Sequence, residues 1–449
     1  MTPLKPSQSI RSNIRSLIRS LIHTFILSFI LPVIAVCSLL LITGASATLM
    51  ATGMATGMAA SVQNSAALAD SLDTPGSTVP QDSVVTQPTL PEQTTQPDQS
   101  TQPDQSTQST QPAQPTQLTL PEQPDQPATL EQELRDKLSG EALSTRIILQ
   151  STGNYSITDN AFNSANQFGL GPAMVMIHGR LDDQFDYKLQ LNFTRSSTLM
   201  DLALGYRINP NLKLTAGAQK PDMGLDLLPS PATTDFADRA RMVSTMTNTR
   251  EIGLSLDGQF DAFDLNLGLY NGTGLSGTND GNFMILAKAG YALEVSNMEQ
   301  LYIGFNTTLN TTTSEPVGNT GYISDRDRLT YGVYATWRLA TWFGAAEFMQ
   351  TRFDNVSLSP GNDASGLKRD TITSFYATAG YHLTDTADLL VRWDHLSFDL
   401  ENNRGSDLFI LGWNQQLSSL MSFQTNLQAD FRGDSEEFGL VGVFQFFFN

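Results

Sequence analysis

From about Ser144 onward, apolar residues recur at every second position, and the positions between them are largely charged or amide-bearing. This alternation specifies extended strands with one apolar and one strongly polar face. Phe185-Asp186-Tyr187-Lys188-Leu189-Gln190-Leu191-Asn192-Phe193 shows it without a break, and Phe263 to Leu267 and Phe423 to Asp430 repeat it. A soluble β-sandwich produces the same pattern on a single strand, so strand length, strand number and loop rhythm must discriminate. Strands of about ten residues fit 144–154, 172–182, 184–195, 198–208, 211–219, 249–258, 261–271, 282–292, 300–310, 328–339, 341–353, 371–383, 386–397, 406–416, 420–431 and 438–448, sixteen in all. Tight turns at Asp182-Asp183, Asn209-Pro210, Gly258-Gln259 and Asp385 alternate with long connections at 220–248, 272–281, 311–327 and 354–370. An even strand number with short turns on one side and long loops on the other is the layout of bacterial outer-membrane barrels. Lipid cannot satisfy an open sheet edge, so the ring must close. Sixteen strands also enclose a lumen too wide for side chains to fill. The expected fold is an all-β transmembrane antiparallel barrel around water, its apolar face on outer-membrane lipid.

The first third of the chain has a different composition and divides into separate regions. Lys5, Arg11, Arg15 and Arg19 precede an apolar run from Leu21 to Ile42, and both Ala45-Ser46-Ala47 and Ala67-Leu68-Ala69 offer small-residue cleavage sites. Residues 1–69 therefore read as an export leader. Cys37, the single cysteine, lies in the apolar run behind Val36, which does not suit lipidation and leaves the exported part without a disulfide. Residues 70–128 are Thr, Gln, Pro, Ser and Asp with almost no large apolar residue, and Thr-Leu-Pro-Glu-Gln occurs at both 89 and 119. Such a segment cannot bury a core. It is expected to be a disordered periplasmic linker, with peptidoglycan as a possible partner. Thr129 is placed to cap a short helix from Leu130 to Leu138, stopped by Gly140. Residues 141–449 form the barrel.

The net charge of −19 disfavours nucleic acid, whose phosphates require cationic surfaces. Tyr206, Tyr291, Trp337, Trp342, Tyr381 and Trp413 fall near strand ends, as interfacial aromatic girdles do. Phe444, Phe446 and Phe448 share one face of the last strand, a pattern that resembles the aromatic C-terminal signal of outer-membrane barrels, although Asn449 follows here.

Ala216-Gly217-Ala218-Gln219-Lys220-Pro221 with Gly224-Leu225-Asp226, then Phe236 to Arg241, then Arg250-Glu251-Ile252-Gly253 leading to Tyr270-Asn271-Gly272-Thr273-Gly274, resemble the phosphate-selective porin O and P family. The resemblance implies a sixteen-stranded porin, a passive channel for small hydrophilic solutes or ions, and a homotrimer. A fold carries over more safely than an ion preference. The chain has Asp222-Met223 and Asp226 where the family carries an aromatic after the motif proline and a later glutamate.

Residues 220–248 form the third long loop, which folds inward in general porins. It holds Asp222, Asp226, Asp235, Asp238, Arg239 and Arg241, is stiffened by Pro229 and Pro231, and offers Thr233 or Thr234 as a helix cap. Period-two phasing points Arg180, Lys188, Arg207 and Lys213 into the lumen from four consecutive strands, a basic stripe on one wall. The expectation is that this stripe faces the acidic third loop and sets up a transverse field across the channel. The plainer expectation is local pairing with Asp186, Asp201, Glu251, Asp257 and Asp264.

The rival readings are a non-conducting barrel that tethers the envelope and an outer-membrane hydrolase. A hydrolase needs a nucleophile, base and orienting group on one face. His178 and His382 phase into the lumen, His395 lies near Asp394 and Ser397, and no Gly-x-Ser-x-Gly run occurs. Asn279-Asp280-Gly281-Asn282 and Asp325-Arg326-Asp327 supply oxygen atoms without the ligand count of a calcium loop, and turn chemistry accounts for both. No cofactor or metal is expected.

Overall fold

The computed structural model describes residues 140–158, 166–275, 279–295, 299–356, 368–399 and 405–448. The expected leader, linker and Thr129-capped helix lie outside the described residues. Within them the chain forms β1 (Ser144–Ser156), β2 (Gln167–Arg180), β3 (Phe185–Asn192), β4 (Leu199–Asn209), β5 (Leu212–Gln219), β6 (Glu251–Phe260), β7 (Phe263–Tyr270) and β8 (Met284–Leu293). It continues with β9 (Gln300–Pro316), β10 (Ile323–Leu339), β11 (Trp342–Asn355), β12 (Lys368–Thr384), β13 (Ala387–Phe398), β14 (Ser406–Gln416), β15 (Met421–Arg432) and β16 (Ser435–Phe448). Each strand pairs antiparallel with the next, and β1 pairs with β16 from Ile147↔Phe448 to Ser156↔Gly439, which closes the barrel. All sixteen expected strands are present.

The pleat sorts the side chains as the alternation requires. On β4, Leu202 and Leu204 are more than half exposed outward while Asp201 is fully buried. Of the expected girdle, Trp342 packs against Tyr381 with ring centres 4.7 Å apart, Tyr206 packs against Phe185 at 5.0 Å, and Tyr291 and Trp413 are exposed outward.

Strand lengths differ strongly around the ring. β3, β5 and β7 have 8 residues, whereas β9, β10 and β12 have 17. At barrel tilt the short strands climb about 20 Å and the long ones about 43 Å, against an apolar band of about 25 Å. The expected loop at 311–327 is therefore mostly strand, because the ladder continues through Thr311 and Thr312, which lie opposite Asp327 and Arg326, and resumes at Glu315 opposite Ser324. A bulge with Arg326 at φ 67° interrupts it. The turn expected at Gly258-Gln259 falls later, at Asp261 with φ 51°.

Candidate functional site

The chain between β5 and β6 enters the barrel. Gln150 of β1 and Gln445 of β16 donate to the carbonyls of Pro231 and Ala232 at 3.1 and 3.0 Å. Gln424 of β15 donates to Thr234 O and Asn414 of β14 to Asp235 O, both at 2.8 Å. Asn426 accepts from Ala237 N at 2.7 Å, and Arg392 of β13 donates to Asp238 O at 3.2 Å. The third loop thus crosses the lumen and runs along its far wall.

Two cations shape the root of the loop. Lys220 Nζ donates to the carbonyls of Leu227, Leu228 and Pro229 at 2.9, 2.8 and 3.0 Å. Arg239 donates to Asp226 O and Pro229 O. The loop contains a 3₁₀ turn, Pro231–Thr233, and a short helix α1, Arg241–Met246. Neither is capped by Thr233 or Thr234. Ser230 Oγ accepts from Ala232 N at 3.4 Å and caps the turn, whereas the amide of Arg241 donates to Asp394 Oδ2 of β13 at 2.9 Å, so the wall caps the helix.

Asp226, Asp235 and Asp238 turn away from the basic stripe to the opposite wall, and of the loop acids only Asp222 shares a cavity with Arg207 and Lys213. The loop therefore does not present the acidic face that the expected transverse field requires. Asp222 pairs with Lys288 of β8 at 2.8 Å. The Asp226 carboxylate accepts from Ala240 N and lies 3.7 Å from Arg392, while Asp238 accepts from Gln428 at 3.3 Å. Burial pushes the Asp235 carboxyl above its usual range, with Arg392 opposing. Arg241 pairs with Asp394 at 3.3 Å and Asp430 at 3.6 Å. The physical cause is Lys288 of β8 and Arg392 of β13, buried cations that require partners and take Asp222 and Asp226.

A cavity of about 710 Å³ remains between the other side of the loop and β1 to β5. Arg146, His178, Arg180, Asp186, Lys188, Lys213 and Lys220 line it, with Glu141, Met176, Leu228, Ser230 and Pro231. Lys213 is shared with a second cavity of about 510 Å³, which reaches Arg207, Asp222, Asp257 and Asp264. The four predicted stripe residues therefore all line these cavities. Lys188 pairs with Asp201 at 2.5 Å and Lys213 with Asp186 at 2.8 Å, so local pairing accounts for half the stripe. The second pair crosses above Gly205, where any side chain would collide with both partners. Arg180 and Arg207 have no ion pair among the described residues.

Sequence reasoning missed Arg146 and Lys220 as part of this wall, and Arg250 as the buried cation behind it. Arg146 shares the phase of Gln150, which was the available signal, whereas Lys220 and Arg250 sit at loop ends where phasing stops. Arg250 reaches Asp201, and its neighbour Glu251 accepts from the amides of Gly272 and Gly274 at 2.9 and 3.0 Å. These two motif segments thus form one fastening, which ties loop ends to the barrel. Of the other expected partners, Asp257 accepts from Asn266 at 2.5 Å and Asp264 from Tyr302 at 2.7 Å.

The remaining candidate groups do not converge. His395 Nδ1 pairs with Asp407 at 2.8 Å on the outer face, Asp394 faces the lumen and Ser397 donates to Thr373 O. His382 pairs with Asp388 at 2.6 Å. Asp280 accepts from the amide of Asn282 at 2.9 Å within its own turn and from that of Thr313 at 2.8 Å on the neighbouring hairpin, and Asp325 accepts from Ser314 N at 3.3 Å across the β9–β10 hairpin, so both acids hold backbone amides.

The model of the family described as phosphate-selective porin O and P matches residues 148–392. Among solved structures, the chain is similar to an anion-selective porin from Comamonas acidovorans, with a TM-score of 0.51 and 11% identity over 68% of this chain and 99% of that one. It is also similar to the trimer form of OmpT, an outer membrane protein of Vibrio cholerae, with a TM-score of 0.51 and 11% identity over 68% and 99%. A third likeness is to the outer membrane channel DcaP of Acinetobacter baumannii, with a TM-score of 0.50 and 10% identity over 68% and 97%. At such identities the likeness is one of fold. No curated protein matches the sequence.

Proposed function

The chain belongs to the phosphate-selective porin O and P family, and on that premise we propose that this outer-membrane porin, a channel for passive diffusion of small solutes, prefers anions. The observation that carries the preference is the open chamber itself. Arg146, Arg180, Lys188, Lys213 and Lys220 face it against Glu141 and Asp186, in a protein whose net charge is −19. Low-dielectric walls focus the field of such a patch into the water between them and raise the local anion concentration. The anion-selective porin of similar fold is in keeping with this.

Planar-bilayer recordings of the purified protein under a potassium chloride gradient test the reading. A reversal potential on the chloride side is expected, and Arg180→Glu with Lys188→Glu moves it toward potassium. A silent bilayer favours a tethering barrel instead. In the same reading the outward apolar band contacts lipid, the assembly is a homotrimer, as the trimer form of the similar OmpT fold suggests, and residues 70–128 span the periplasm. Cross-linking in detergent checks the trimer, and co-sedimentation with peptidoglycan, with and without residues 70–128, checks the linker.

A further inference from the structure

The two sides of the 710 Å³ chamber differ in chemistry. On the barrel side, Arg146, His178 and Lys188 come from three adjacent strands, with His178 and Lys188 directly paired in the β2–β3 register. Arg146 Nε and His178 Nε2 are buried atoms without a protein partner among the described residues. On the loop side the lining is Leu228, Ser230 and Pro231, and Met176 extends the apolar strip onto β2. The polar atoms of the loop's backbone here are already engaged. Lys220 takes the carbonyls of Leu227 to Pro229, and Gln150 that of Pro231.

A small inorganic oxyanion needs several free donors converging on it and gains nothing from an apolar wall. Here Lys188 and Lys213 already hold carboxylates, and Lys220 holds carbonyls. An organic carboxylate makes use of both sides, its charged end on Arg146, His178 and Arg180 and its apolar body against Leu228, Pro231 and Met176. The volume lies inside the range of pockets that enclose small organic ligands. We infer that the chamber is a transit site for small organic carboxylates with an apolar body, selected over inorganic phosphate. The inference rests on the anion preference proposed above.

The test uses the full-length protein in planar bilayers, with benzoate, acetate and inorganic phosphate each added to a chloride solution. Benzoate should interrupt the chloride current at concentrations about tenfold below those at which acetate or phosphate does so. Leu228→Ser should weaken the benzoate block severalfold while leaving the chloride-to-potassium ratio unchanged, and Met176→Gln provides the same comparison from the barrel side. A channel that keeps its chloride preference but is blocked more readily by phosphate than by benzoate overturns the carboxylate site alone. A channel that prefers potassium overturns the anion reading on which the site depends.

Discussion

The lumen has two unlike halves. From β1 to β5 the inward positions carry Arg146, Arg180, Lys188, Arg207 and Lys213, and the space before them is open. From β7 to β13 the inward positions include Tyr270, Met284, Leu286, Met349, Phe353, Ile372, Tyr376, Leu396 and Phe398, all buried, with Lys288, Arg392 and Asp394 among them. Met223, Leu227, Met242, Val243 and Met246 of the third loop pack onto that second set, and Val317 and Tyr322 close over it from the β9–β10 hairpin. A barrel wall of this width is too open to be filled by its own side chains, so the loop supplies the missing half of a core. Each fully buried Leu, Val or Met contributes about 1.5–3 kcal/mol. The comparison teaches that a pore can be narrowed by giving one wall a soluble protein's interior and leaving the other wall wet.

Arg392 is where the halves are most readily separated. It is buried on β13, with its guanidinium 4.3 Å from the Phe236 ring and 5.1 Å from the Tyr376 ring, and it also reaches Asp226 and Asp238 O. Arg392→Ala leaves Asp226 buried without its cation, a class of change that costs about 3–5 kcal/mol. We expect the loop to leave the far wall and single-channel conductance to rise severalfold, together with a lower melting temperature. Unchanged conductance in a folded Arg392→Ala protein breaks the picture of a fastened loop.

Met349→Ala and Arg180→Gln sharpen the contrast by dissociating stability from selectivity. Met349 is fully buried in the apolar half, and removing its side chain should cost about 2–5 kcal/mol with the reversal potential unmoved. Arg180 is exposed in the chamber, so Arg180→Gln should stay within about 0.5 kcal/mol of the parent yet reduce chloride preference. Thermal unfolding in detergent and reversal potentials on the same preparations check both. If the two substitutions alter the same quantity, the halves are not functionally distinct.

The sequence revealed the wet half more clearly than the dry one, for a physical reason. On β3 and β4 a charged inward set alternates with an apolar outward set, so phase alone assigned Lys188 and Arg207 to the lumen. On β12, Ile372 and Tyr376 face inward while Thr373 and Phe375 face outward, so both faces mix apolar and polar groups and the alternation loses its contrast. Strand existence survives that loss because turns and ladder length still mark it. Side-chain destination does not, since Ile372 is buried by a loop more than 120 residues away in the chain. The third loop shows the same limit, as its acid content was legible from Asp222, Asp226, Asp235 and Asp238. Their direction was fixed by Lys288 and Arg392, which only the closed ring brings near.

The smallest expected effect concerns Lys220, which belongs to both halves because it lines the chamber while holding the loop's carbonyls. Burial, reinforced by Arg250 and Arg239 nearby, pulls its ammonium down to about 7. Below that pH it adds a charge to the cationic wall. Above it that charge is lost while Arg146 and Arg180 keep theirs, because guanidinium groups stay protonated. Chloride preference should therefore decline modestly as the pH rises from about 6 to 8.5. Lys220→Arg should flatten the decline, which separates this contribution from that of His178 in the same chamber. A slope of undiminished size in Lys220→Arg assigns the titration elsewhere and removes Lys220 from the conducting wall.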